Sequence, residues 1–261
     1  MDGSLSPARA FVDRVALVTG AGRAVGRAIA QQLGAAGAAV AVVATSRARA
    51  DATVDAIRSA GGEASGFTAD LSDLGSIPGL VQSVEQVFGD VDILINNAAT
   101  VAPMGPVANL DPVAVLRALS INVASVVALS GAVIPAMMRQ GWGRIANVCG
   151  VVGDLDSWPG GNVYAACVAA LEAHTAYLAA ELTGTGVTVN ALRAQKTGEA
   201  LRTWLAGIDP EAIDDPLIRR FVISQKDAGV ADSGRQATTL LHHLATAQTG
   251  QVWNVAYDPT D

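Results

Sequence analysis

Short runs of apolar, mostly β-branched residues alternate along the chain with segments of helical length. The runs are Val15–Val18, Val40–Val43, Val91–Ile95, Arg144–Val148, Val187–Asn190 and Val252–Val255, with a weaker one at Gly66–Ala69. A strand that is apolar at nearly every position is covered on both faces, so the pattern predicts a parallel sheet of about seven strands with helices on either side. This is an α/β, doubly wound architecture in a single domain. No repeat and no Pro- or Ser-rich linker divides the chain. Residues 1–10 read as a loose tail and 11–261 as the domain. The irregular stretch 198–232, with Trp204, Pro210 and Pro216, suits a segment lying over a cleft.

Composition narrows the partners. Lys and Arg total 17 against 24 Asp and Glu, and no basic cluster stands out, which argues against a nucleic-acid binder. Only two cysteines, Cys149 and Cys167, and three histidines are present, so neither a disulfide framework nor a metal-ligand spacing is formed. Met1 to Arg14 is polar and has no apolar leader core. The most apolar stretch, Val123–Met138, is interrupted by Ser125, Ser130, Gly131 and Pro135 and reads as a buried helix rather than a membrane span. The expectation is a soluble, cytoplasmic protein that contacts neither membrane nor nucleic acid.

The first strand runs into Thr19-Gly20-Ala21-Gly22-Arg23-Ala24-Val25-Gly26, and a helix follows from Arg27. A glycine-rich turn between strand and helix lets backbone N–H groups and the helix N-terminus meet a pyrophosphate, with no Cβ in the way. The strand–turn–helix context lifts this above a bare glycine motif.

With that loop the sequence resembles the short-chain dehydrogenases/reductases over nearly its full length. Asp70-Leu71 is similar to the family's adenine contact, Asn96-Asn97-Ala98-Ala99 to its strand-end motif, and Ile121-Asn122-Val123 to the helix carrying its active-site Asn. Gly143–Val148 resembles the strand leading to the catalytic Ser, and Thr249-Gly250-Gln251 the approach to the last strand. The resemblance implies a Rossmann-type fold and a dinucleotide held by Thr19, Gly20, Gly22, Arg23, Val25, Gly26, Ser46, Arg47, Asp70, Leu71, Asn97 and Ala98. The second strand ends in Ala44-Thr45-Ser46-Arg47, without the carboxylate that bonds a ribose 2′-OH. Together with Arg23 this predicts NADP (NADPH) over NAD. Ala24 and Ala99 stand where the family has glycine, which predicts weakened cofactor binding.

The family's catalytic residues are a Tyr, a Lys four positions later, a Ser and the Asn. Tyr164 matches the Tyr and Asn122 the Asn, but Val168 stands at the Lys position. The Ser position falls on Gly150 or, by the spacing to Tyr164, on Val151, and neither has a hydroxyl. An unperturbed phenol has a pKa near ~10, so about one in a thousand is ionised at pH 7, and a neighbouring cation is what would offset that. The expectation is an atypical NADP(H)-dependent reductase of a carbonyl or conjugated ketone of secondary metabolism, with Tyr164 as proton donor. The alternatives are a non-redox dehydratase, isomerase or cyclase, and a pseudoenzyme subunit pairing with an active relative. Lys196, Asp154 and Asp156 are the candidates to replace the lost groups. The resemblance also implies a homo-dimer or homo-tetramer formed through the helices of Asn122 and Tyr164.

Overall fold

Seven parallel strands form one sheet: β1 (Val15–Thr19), β2 (Ala39–Ala44), β3 (Glu63–Thr68), β4 (Ile93–Asn96), β5 (Gly143–Gly150), β6 (Val187–Ala194) and β7 (Val252–Asn254). Their spatial order is β3-β2-β1-β4-β5-β6-β7. The computed structural model describes residues 10–150, 160–194, 205–227 and 232–255. The expected doubly wound α/β domain is therefore present. Strands β1, β4 and β5 are buried at every position, as continuous apolar runs require. The weak run at Gly66–Ala69 proves to be the end of β3, which starts at Glu63. This edge strand alternates polar and apolar residues because only one flank of it is fully covered, and so it lacks an unbroken apolar signal.

Helices cover both faces. On one side α1 (Ala24–Ala35) and α2 (Arg47–Ser59) share a core with the strands. On the other, α3 (Ile77–Phe88), α5 (Ser125–Gln140) and α6 (Asn162–Glu181) do the same. Between α3 and α5 lies α4 (Pro112–Leu119), started by Asp111, whose carboxylate accepts from the Val113 N–H at 2.9 Å, and by Pro112 in the first turn. A single π-turn, Ser120–Ala124, joins α4 to α5, and Gly141 in the left-handed region (φ +66°) ends the run. Later come α7 (Pro216–Asp227) and α8 (Ser233–Leu244), the latter packed on α1. Pro112–Gln140 and Asn162–Glu181 are long and apolar enough to cross a membrane by length and composition alone. Here α5 and α6 each lay a buried stripe on the sheet.

The stretch expected to lie over a cleft is described from residue 205 to 227. Leu205 and Val222 are buried there with Met104, Ile208, Ile213 and Ile218 packed around them. It is anchored near the start of α6, where Gly160 accepts a backbone bond from Gly105 (3.0 Å) and lies under Ile218.

Strand order reverses between β1 and β4, and ligands of such sheets bind at the carboxyl ends of the strands beside that reversal. The site lies there.

Candidate cofactor cleft and active site

Strand β1 ends in Thr19, whose hydroxyl donates to the Ile95 carbonyl (3.2 Å) and accepts from the N–H groups of Asn97 (3.0 Å) and Ala98 (3.1 Å). The Asn97 amide donates back to the Thr19 carbonyl at 3.0 Å. These bonds lock the ends of β1 and β4 together. Gly20 then takes φ +63°, a conformation that favours glycine, and turns the chain toward α1. A Cβ at Gly26 would overlap the Gly20 carbonyl and the Asn97 amide, so only glycine lets α1 press this closely on the strand ends.

Ala24 is also left-handed, at φ +45°. For an L-residue this costs ~1–2 kcal/mol. Ala24→Gly removes that strain but adds roughly 0.4–1 kcal/mol of unfolded-state freedom. The variant is expected to gain about 0.5–1 kcal/mol, read as a higher urea midpoint; a lower midpoint would show that the turn carries no strain.

A cleft of about 570 Å³ opens between this loop, the ends of β2 and β3, the Asn97–Ala102 segment and α4. Gly20, Gly22, Arg23, Val25 and Gly26 line it from the loop, Asp70 and Leu71 from the β3 end, and Asn97 and Ala98 from the β4 end. Three residues expected at the cofactor lie off its walls. Thr19 is buried beneath the floor. Ser46 sits at the N-cap of α2. Arg47 turns outward, its Nε donating to both Asp51 carboxylate oxygens (2.8 and 3.0 Å) one helical turn on.

Two cations that the sequence reading passed over line the cleft instead. Arg49, in the first turn of α2, packs so closely that a Cβ on Gly22 would lie 2.8 Å from its own Cβ. Its signal was the helical step from Thr45, which shares the cleft wall. Arg117, on α4, donates from Nη2 to Asp70 Oδ2 (3.0 Å) and from Nη1 to Ser72 Oγ (2.7 Å). The Ser72 N–H and hydroxyl both donate to Asp70 Oδ1, at 3.0 and 2.7 Å. Led by the Ser72 bonds and helped by Arg117, this network holds the Asp70 carboxyl at about 2, so it is ionised at neutral pH.

Across the reversal from β2 and β3, Tyr164 stands near the start of α6 and is almost fully buried. Its hydroxyl fills the space a side chain on Gly150 would need: a Cβ there would collide with it. Burial pushes the phenol well above its ordinary value near 10, the Cys149 thiol adds to this, and a backbone bond from Gly150 only partly opposes it. One turn along, Val168 is buried in an apolar cluster with Val126, Cys149, Leu171 and Ala191. Among the described residues, a void of about 10 Å³ lies between Tyr164, Val168, Val126, Cys149, Leu171, Asn96 and Cys167.

Asn122 is held in the π-turn. Its carbonyl oxygen accepts from the Thr100 N–H and its amide donates to the Thr100 carbonyl, both at 2.8 Å. The amide also steadies the buried Cys167 thiol, whose pKa burial raises. Asn122 therefore pins the cleft-lining Thr100 segment to the α4–α5 junction. Val151, Asp154, Asp156 and Lys196 lie outside the described residues.

The sequence profile described as short chain dehydrogenase matches residues 14–200. The chain is 37% identical over 180 residues to the 3-oxoacyl-[acyl-carrier-protein] reductase FabG of Escherichia coli (strain K12), covering 69% of this chain and 72% of the relative. It is 38% identical over 185 residues to the short-chain reductase protein NovJ of Streptomyces niveus, covering 69% and 68% respectively. Among solved structures, a metagenomic short-chain oxidoreductase in complex with NADP superposes with a TM-score of 0.76 at 24% identity, over 95% of this chain and all of the other.

Proposed function

The chain belongs to the short-chain dehydrogenase family, and from that premise we propose that it is an atypical NADPH-dependent reductase of a carbonyl or conjugated ketone, working toward the alcohol. The observation that carries this reading is the buried, protonated Tyr164 beside a cleft whose phosphate-loop end presents Arg23 and Arg49. A phenol that burial holds protonated gives a proton to a nascent alkoxide but takes one poorly, so reduction is the direction this site favours.

The cleft fits a phosphorylated dinucleotide. Glycines at positions 20, 22 and 26 bring backbone N–H groups and the α1 N-terminus to its floor, where a pyrophosphate is held. Thr45, Arg23 and Arg49, with no carboxylate at the end of β2, suit the dianionic 2′-phosphate. Bound there, the reduced nicotinamide supplies the hydride. The chain supplies the rest: Asn97 and Thr19 hold the floor rigid, Asn122 holds the Thr100 wall, and the Tyr164 hydroxyl delivers a proton to the substrate oxygen. The FabG and NovJ relatives are both named reductases, which agrees with the direction. The exposed apolar side chains of Val113, Leu116 and Tyr177, on α4 and α6, support assembly into a homo-oligomer through those helices.

Intrinsic-fluorescence titration tests the cofactor. NADPH is expected to bind more tightly than NADH. Arg49→Ala is expected to weaken NADPH by about 10–100-fold, the loss of a charge-assisted phosphate contact, while changing NADH by less than threefold. Absence of NADPH binding in the intact protein overturns the reading. One feature favours a second reading, a cofactor-holding subunit that stabilises an active relative: among the described residues the void bordering Tyr164 is small, about 10 Å³. That alternative predicts NADPH binding with no turnover of any carbonyl by the purified chain.

A further inference from the structure

We propose that the Thr100 hydroxyl is the second hydrogen-bond donor to the substrate oxygen, supplying the contact that position 150 cannot make. This rests on the reductase reading above. A carbonyl oxygen has two lone pairs, and negative charge developing there is stabilised by each donor aimed at it. Tyr164 serves one. Gly150 has no side chain to serve the other, and the phenol hydroxyl already fills the room that a side chain there would need. Among the described residues lining the cleft, two carry a hydroxyl, Thr45 and Thr100. Thr45 follows β2, which β1 and β4 separate from β5, the strand that ends in Gly150. Thr100 follows β4, the strand paired directly with β5.

The cavity walls agree. Ala98 and Ala99, the two residues before Thr100, line both the cleft and the small void that Tyr164 borders. Asn122, on the same void, holds Thr100 by both of its backbone polar groups, at 2.8 Å each. The Thr100 backbone is thereby fixed by a side chain that is itself buried. A β-branched residue on a fixed backbone has few rotamers, so the hydroxyl is placed before substrate arrives. Its oxygen accepts from the Ala102 N–H at 3.2 Å, and among the described residues nothing takes its hydrogen. A substrate oxygen can use that hydrogen. In the reduction the C=O π bond opens, hydride from the reduced dinucleotide forms the C–H bond, and the Tyr164 proton forms the O–H bond. The dinucleotide is oxidised, and Thr100 keeps its proton throughout, so it needs neither a base nor a cation of its own.

The test compares Thr100→Val, which keeps the branched shape and removes the hydroxyl, with Thr100→Ser, which keeps the hydroxyl, each in the intact chain. The probes are ethyl acetoacetate and 2-cyclohexenone as substrates with NADPH, and 2-cyclohexenone bound to the unreactive complex with NADP. Thr100→Val is expected to lower kcat by about 10–100-fold, the range for losing one hydrogen bond to a charged oxygen. Its NADPH affinity, and the 2-cyclohexenone affinity of its NADP complex, are expected to stay within about threefold, because the contact strengthens only as charge develops. Thr100→Ser is expected to turn over within about threefold of the wild type. A Thr100→Val rate equal to the wild type overturns the proposal and leaves the Tyr164 reading intact. Equal losses in the two variants, or a matching loss of NADPH affinity, also overturn it, because they report a displaced wall rather than a missing donor. A wild-type chain that binds NADPH and reduces neither probe overturns both.

Discussion

Replacing Tyr164 by Phe is expected to lower NADPH-dependent carbonyl reduction by about 10²–10⁴-fold, the range for losing a positioned general acid, while NADPH affinity stays within about twofold. The hydroxyl packs against Gly150 and away from the phosphate loop, so the ring can lose its oxygen without disturbing the cleft walls. The same geometry fixes the pH dependence. Burial moves the phenol above its ordinary value near 10, so the proton donor stays loaded across the neutral range and the reduction rate should hold level through pH 9. Alcohol oxidation should be far slower at pH 7, since even an unperturbed phenol is ionised in only about one molecule in a thousand. A Phe variant that turns over at the wild-type rate, or a rate limb with a midpoint near pH 7, would remove Tyr164 from the chemistry.

A second large effect is expected at Gly26. Its Cβ position coincides with the Gly20 carbonyl and the Asn97 amide, and the backbone carbonyl cannot swing away as a flexible side chain would. Gly26→Ala is therefore expected to cost about 2–3 kcal/mol of stability, typical of forced overpacking, and to weaken NADPH by more than 100-fold as the loop is pushed off β4. Gly131→Ala in α5 is the matching control. No heavy atom lies within 4 Å of its Cβ position, so it is expected to gain up to about 1 kcal/mol from helix propensity and leave binding untouched. Denaturant melts and fluorescence titrations on the pair separate packing from a general intolerance of alanine.

The sheet was legible because its central strands are buried on both sides, and burial writes an unbroken apolar run. β3 was only half legible, since an edge strand keeps polar residues such as Glu63 and Ser65. The phosphate loop announced itself through glycines whose spacing matches a strand-to-helix turn. Cation placement was harder to read. Arg47 and Arg49 are two residues apart, and choosing the one that faces the cleft needs the rotation of α2, which the i,i+4 pairing of Arg47 with Asp51 helps to set. Arg117 was invisible, because its significance comes from a partner 47 positions away. Asn122 was correctly placed on its helix, but its hold on Thr100 depends on a π-turn that no periodicity signals.

The contact between Gly150 and the Tyr164 hydroxyl constrains how the chain can be altered. Serine cannot be accommodated at 150 while the ring stays in its present rotamer, so a library varied at that position alone would return glycine and hide the value of the hydroxyl. Val168→Lys brings an ammonium group to the same helix face as the ring, and a serine at 150 is expected to become useful only where the ring has shifted to admit it. The effects of the two substitutions are therefore expected to be epistatic rather than additive, the serine gaining from the lysine being in place first.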